Sequence, residues 1–385
     1  MQKMQPRYHG LDALRGIAMM LGIVLHAALP YAGSYTWENF SSIWPQDGDA
    51  SFAIAVINHF IHSWRMPTFF ILSGFFTHLV ITRKSWQYWY RNRFIRIVLP
   101  LFIFSPLMAA TLPSIFLYGF ILSAFEKSFF EIFLSWEGYP FHLWFLWHLI
   151  IFAVVTFCIQ MSNKIFHFLC SLFRLNFLIT MIRKTKIILG NFFFDGVYPV
   201  PSIILLAFVS LWTAGELIEN PLASGLFFVL GYRLYANEKL LETIHLHWKY
   251  YLILGSICFI FLLMLINMRN DFTDEDIRWI LYVLTVVSTN IFLSFGIIGF
   301  FMNQCSEYNK YLKFIADSSY WVYLVHLPVV TLITFAMFPL NILAEIKFIL
   351  AITLSSVICL GTYKLCVRST IIGLLLNGKT HSFRN

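Results

Sequence analysis

Asp12, Arg15 and His26 stand 3 and 11 residues apart in an otherwise apolar run, 11–31. At about 100° per residue of helix they fall within a narrow arc, so one face of that helix is polar, and Gly22 leaves room on it beside His26. A second run, 52–81, carries Asn58, His62 and Arg65 at similar spacing, ahead of Pro67 and the Ser73-Gly74 step. A third, 314–338, aligns Ser319, Tyr323 and His326. An imidazole titrates near neutral pH and can take a proton from a hydroxyl. An always-charged guanidinium can steady the negative oxygen that develops when such a hydroxyl attacks a carbonyl. On this chemistry His26 is the leading functional candidate, Arg65 needs either a carbonyl or the developing negative charge of a substrate, and His326 is a further candidate. The alternatives are structural: a snorkelling Asp12–Arg15 pair, a hydrogen-bonded core histidine, a carbonyl clamp for Arg65 at the Pro67 bend, and an interhelical bond for Tyr323. His142, His148, Asn290 and Glu216 are lesser candidates, each near the end of a run or alone.

The elements that must carry these residues are membrane helices. Of 385 residues, 59% are hydrophobic and only 12% charged, with 42 Phe, and the mean hydropathy is +0.73. A water-soluble domain needs far more charge on its surface. A bilayer core about 30 Å thick takes roughly 20 apolar residues per helix. Runs of spanning length lie near 11–31, 52–81, 94–122, 142–161, 200–217, 222–236, 249–267, 278–301, 314–338 and 343–366. The expected fold is therefore an all-α polytopic membrane protein of about ten transmembrane helices, a single domain over 1–385. The second and third runs exceed a straight crossing and call for tilt, an interfacial turn or a bend at Pro67, Pro100, Pro106 or Pro113. The apolar run 11–31 is too long, and too interrupted by charge, for a cleavable signal peptide that uses Met1–Arg7 as its basic region.

Loop charge orients the bundle. Arg83, Lys84, Arg91 and Arg93 follow the second run, Lys164 to Lys186 the fourth, and Lys310 and Lys313 the eighth. Glu38, Asp47 and Asp49, then Glu126, Glu131 and Glu137, then Glu216 and Glu219, then Asp271, Asp274, Glu275 and Asp276 occupy the alternate loops. The basic loops are expected in the cytoplasm, with both termini. The same distribution explains the excess of 27 Lys+Arg over 19 Asp+Glu without nucleic-acid binding. Residues 164–190, apolar but broken by five cations, are expected to form an interfacial amphipathic helix plus loop. The six cysteines have no metal-ligand spacing and read as reduced packing residues; no metal is expected.

The stretch 83–96, RKSWQYWYRNRFIR, alternates guanidiniums with aromatic rings. Anionic lipid and an aromatic belt account for most of it. The same composition also suits a nucleotide, with cations for phosphates and rings for a base.

Taken together, GLDALRGIAMMLGIVLH (10–26), FIHSWRMPTFFILSGFF (60–76), RNRFIRIVLP (91–100), HLWFLWHL (142–149) and SSYWVYLVHLP (318–328) resemble the acyltransferase-3 family of membrane enzymes. FIHSWRM and YLVHLP are most similar to the branch linked to succinylation of periplasmic glucans. The resemblance implies an O-acyltransferase of the bacterial inner membrane, moving a succinyl or acetyl group from cytoplasmic acyl-CoA to a hydroxyl of a periplasmic or cell-envelope carbohydrate. It implies a reaction centre at His26, with Arg15 and Arg65 as motif arginines beside Asp12, and His326 in the late-span motif. It puts Arg93 and Arg96 near the donor, joined by Arg91 as a phosphate contact. Membrane lipids and a carbohydrate acceptor are the expected partners, a homo-oligomer stays open, and, unlike some relatives, no fused periplasmic esterase-like domain is expected. A transporter of an acylated or anionic small molecule is the rival reading, since polar faces meeting in mid-membrane also describe a substrate path.

Overall fold

The computed structural model describes residues 8–33, 44–123, 127–135, 141–213, 220–267 and 275–378. Met1–Arg7, Glu38, Glu126, Glu137, Glu216, Glu219, Asp271 and Asp274, invoked above, lie outside the described residues. In chain order the helices are α1 His9–Ala28, α2 Phe52–Arg83, α3 Trp86–Arg93, α4 Leu99–Leu122, α5 Phe129–Ser135, α6 Trp144–Leu172 and α7 Asn176–Phe194. There follow α8 Val200–Thr213, α9 Pro221–Ala236, α10 Glu238–Leu246, α11 Trp248–Asn267, α12 Glu275–Gln304, α13 Lys310–Ala336, α14 Ala344–Thr362 and α15 Ile371–Asn377. No strand occurs among the described residues.

Side-chain caps set several of the starts. The Asn309 side chain accepts from the amides of Tyr311 and Leu312, which begins α13 four residues before the apolar run. Asn220 caps α9 with Pro221 at its first position, and Ser85 caps α3. All six cysteines are free.

Seven helical stretches among the described residues are long and apolar enough to cross a membrane: His9–Tyr31, Trp86–Leu122, Trp144–Leu172, Trp248–Asn267, Asp276–Gln304, Lys310–Ala336 and Ala344–Val367. Three of the ten expected runs are not among them. The 32-residue α2 carries Asn58, His59, His62, Arg65 and His78, which lower its hydropathy. The 14-residue α8 and 16-residue α9 rise only about 21 and 24 Å at 1.5 Å per residue. The run 94–122 begins as a π-helical turn, Phe94–Val98, just before Pro100. The Tyr320 hydroxyl donates to the carbonyl of Arg96, whose ordinary i+4 partner would be the amide that Pro100 lacks. Residues 164–190 are not one amphipathic helix. They complete α6, turn through Phe173–Leu175 with Arg174 at φ 57°, and enter α7.

The chain packs as two compact units, each discontinuous in sequence. The first comprises 1–62, 95–145 and 304–385. Its centre is α1 laid along α13, with α14 and α4 against them. A Cβ on Gly16 would stand 2.9 Å from the Ala316 backbone, so the two helices touch main chain to main chain there. Ile23, Ala27, Tyr31, Val322, Val330 and Phe348 share the buried core. The second unit comprises 63–94 and 146–303. Within it a Cβ on Gly231 of α9 would lie 1.8 Å from the Ile71 carbonyl of α2, an approach only glycine permits.

Candidate functional site

The close α1–α13 contact brings His26 and His326 together in the first unit, with ring centroids 5.3 Å apart. His142 joins them from the short 3-10 turn Phe141–Leu143 that precedes α6, its ring 5.0 Å from that of His326. Three imidazoles from three distant stretches of chain thus form one cluster. His326 is 1% exposed and His142 9%, whereas His26 is only partly buried.

Hydrogen bonds to main-chain carbonyls fix two of the three rings. His326 Nδ1 lies 2.9 Å from the Tyr323 carbonyl and 3.1 Å from that of Val322. A carbonyl can only accept, so Nδ1 carries the proton and Nε2 of the neutral ring holds the basic lone pair. His142 Nε2 lies 2.9 Å from the same Tyr323 carbonyl and is therefore its protonated nitrogen, which leaves Nδ1 basic. Pro328, inside α13, lacks the N–H that would bond the Leu324 carbonyl, one residue beyond the carbonyl where both rings dock. Tyr323 and Ser319 are buried on the same helix, as their spacing with His326 predicts.

Trp44 stacks on the His26 ring at 5.8 Å and 12°, and meets Phe116 edge-on at 4.9 Å. Asn58 Nδ2 donates to the Leu25 carbonyl at 3.2 Å, pinning the start of α2 to α1 one residue before His26. His62, the outermost member of the α2 arc, is exposed.

Of the other expected site residues, Asp12 and Arg15 lie in the first unit, toward the other end of α1 from His26. Asp12 and Arg15 pair at 3.5 Å with the Arg15 side chain 42% exposed. Eleven and fourteen residues of helix put Arg15 roughly 16 Å and Asp12 roughly 21 Å from His26. Asp12 instead lines a small pocket with Tyr308, Asn309 and Lys313. Arg65 is buried in the second unit. In that unit Arg91 is exposed, and Arg93 donates to Thr77 Oγ1 at 2.9 Å while lying over the Trp89 ring at 5.2 Å. Arg96, in the first unit, is partly buried with its guanidinium against Gly378. His148 is engaged in the second unit with Ser224 Oγ at 3.1 Å.

Sequence reasoning ranked His142 low because it stands alone at the head of a run, and it did not single out Trp44. An aromatic–histidine contact between residues 18 apart on separate elements leaves no periodic signal. The HLWFLWHL motif was the one available pointer to His142.

Residues 8–362 match the acyltransferase domain of the acyltransferase-3 family. Glucans biosynthesis protein C of Salmonella typhi is 33% identical over 160 residues, which is 39% of this chain and 38% of that protein. Glucans biosynthesis protein C of Escherichia coli (strain K12) is 32% identical over 165 residues, 41% of this chain and 40% of that protein. The matched stretch thus spans about two-fifths of these relatives. No solved structure matches the chain significantly. With its helices long and apolar enough to cross a membrane several times and the family's domain running over 8–362, the chain is a multi-pass membrane protein and belongs to the acyltransferase-3 family.

Proposed function

We propose that this protein moves an acyl group, succinyl or acetyl, from cytoplasmic acyl-CoA to a hydroxyl of a periplasmic or cell-envelope carbohydrate. The observation that carries the reading is the His26–His326–His142 cluster, two of whose rings have a fixed tautomer, in a chain of this family. The names of the relatives favour a glucan acceptor. In the proposed step His26 takes the proton from the acceptor hydroxyl, and the oxygen attacks the thioester carbon. The tetrahedral intermediate then expels the CoA thiolate, which takes up the proton. His326, with Nε2 basic, receives the proton from His26 or orients the acceptor. Arg65 as oxyanion stabiliser, Asp12 and Arg15 as motif partners, and Arg91, Arg93 and Arg96 as donor-phosphate contacts are carried on their chemistry and motif positions alone.

The proposed setting is the bacterial inner membrane, with both termini cytoplasmic and α2, α8 and α9 completing ten spans. The basic loops support that orientation. A cysteine at exposed Gly48 should be labelled from outside the cell, and one at exposed Lys84 only after permeabilisation; the reverse pattern overturns the orientation.

Purified protein in lipid nanodiscs, given acetyl-CoA or succinyl-CoA and a neutral glucan, should release free thiol and add one acyl mass to the glucan. Movement of solute across a sealed bilayer with no thiol released would instead favour the transporter.

A further inference from the structure

A short segment, Trp44–Ser51, is fastened to the first unit at several points. The Asp47 amide donates to the Pro30 carbonyl at 2.9 Å and the Ser51 amide to the Tyr31 carbonyl at 2.8 Å. Lys347 of α14 reaches both carboxylate oxygens of Asp47, at 2.9 and 3.1 Å, and the two side chains are each 3% exposed. Asp49 accepts from the Ala344 amide at the first turn of α14, at 2.9 Å. Asp47 belongs to a loop that the charge pattern puts on the outer side, and its carboxylate is buried within the fold, because a lysine three hundred positions away meets it.

Three residues before Asp47, Trp44 lies flat on the His26 ring. A buried ion pair is costly to desolvate and is weak evidence for stability as such, so its use is better sought in what it fixes. We propose that Asp47 and Lys347 are positioning residues: their ion pair holds the Trp44–Ser51 segment so that Trp44 covers His26 and sets the orientation of its ring. The inference rests on His26 being the reacting base, as proposed above. It adds a tryptophan wall to the site and a residue of α14 that controls it from a distance.

The test uses the full-length protein in nanodiscs. Single variants Asp47→Asn and Lys347→Met disturb a buried pair and are expected to lose folded yield. The double variant Asp47→Asn/Lys347→Met removes both charges together and is the informative one, checked as monodisperse by size exclusion. Two measurements are made on it: acyl-transfer kinetics, and the rate at which diethyl pyrocarbonate carbethoxylates His26, read by peptide mass spectrometry. The expected results are a fall in kcat of about 10²-fold with the donor KM unchanged, and several-fold faster carbethoxylation of His26. Trp44→Ala should reproduce both effects and add little on top of the double variant. An unchanged carbethoxylation rate in the folded double variant overturns the proposal whatever kcat does. If the wild-type protein releases no CoA, the proposed function fails, while the carbethoxylation comparison still decides whether the pair holds Trp44 over His26.

Discussion

His142 and Tyr323 grip each other reciprocally: the His142 imidazole donates to the Tyr323 carbonyl at 2.9 Å, and the Tyr323 hydroxyl donates to the His142 carbonyl at 2.9 Å. The residues are 181 positions apart, and the pair ties the turn before α6 to the middle of α13. The Tyr323 carbonyl also receives His326 Nδ1–H, so one main-chain oxygen orients two imidazoles of the cluster. A hydroxyl that the sequence leaves as an ordinary interhelical bond is therefore tied directly to the histidine cluster.

Tyr323→Phe keeps the ring and deletes that bond. The average interhelical hydrogen bond in a membrane contributes only about 0.6 kcal/mol, so thermal stability should fall slightly. The kcat should fall by about tenfold, since the deletion loosens His142 and the orientation of His326 with it. The donor KM should stay constant. Kinetics normalised to folded protein check this; an unchanged kcat reduces His142 to a packing residue.

Thr77→Val tests the donor side. Thr77 Oγ1 accepts from Trp89 Nε1 at 3.2 Å and from Arg93 Nη2 at 2.9 Å, and the residue is 1% exposed. Valine keeps the shape and removes the acceptor, so the Arg93 guanidinium loses its brace. Phosphate contacts act largely as uniform binding, and the expected result is a higher acyl-CoA KM with kcat unchanged. A saturation curve with the natural donor measures it, and an unaltered KM would return Arg93 to anchoring in lipid.

These two variants mark where the sequence was legible. Helical spacing put Asp12, Arg15 and His26 on one face, and Ser319, Tyr323 and His326 on another, because a 3.6-residue period is written locally in the chain. Pairings across the fold are not local. His142 against Tyr323, Trp44 over His26 and Asp47 with Lys347 each join residues on separate elements. Three of the ten runs do not meet a criterion of length and hydropathy: α2 is long but carries several polar side chains, and α8 and α9 are apolar but short. Burial of Asp47 was illegible for a further reason, since an aspartate in the stretch WPQDGD looks like any loop acid.

Gly231→Ala tests packing in the second unit. The new methyl would lie 1.8 Å from the Ile71 carbonyl, and a backbone atom cannot swing aside as a side chain tip can. The helices must part, and overpacking of this kind costs about 1–3 kcal/mol or more. Gly225→Ala, six residues earlier in α9, meets only the Phe152 ring edge at 3.5 Å and serves as the matched control. Thermal unfolding in detergent should separate the two, with Gly231→Ala clearly lower and Gly225→Ala near wild type. Equal midpoints would mean the α2–α9 contact is looser than drawn.

The pair His26→Gln and His326→Gln asks which imidazole takes the acceptor proton. His26 is the partly exposed member of the cluster, with Trp44 along one face. His326 is 1% exposed, with Nδ1 committed to main-chain carbonyls and Nε2 left basic. Glutamine retains hydrogen bonding at either position but cannot act as a base. Losing a general base lowers the rate by about 10²–10⁴-fold, far more than a missing interhelical bond explains. His26→Gln should therefore fall into that range with folded yield preserved. His326→Gln should lose less, because a proton relay or orienting group is replaced while the base that meets the acceptor remains. Rates per folded molecule, with the acceptor saturating, decide between them. Near wild-type turnover in His26→Gln together with a 10²-fold or greater loss in His326→Gln would move the base to His326 Nε2 and leave His26 as the ring that seats the acceptor.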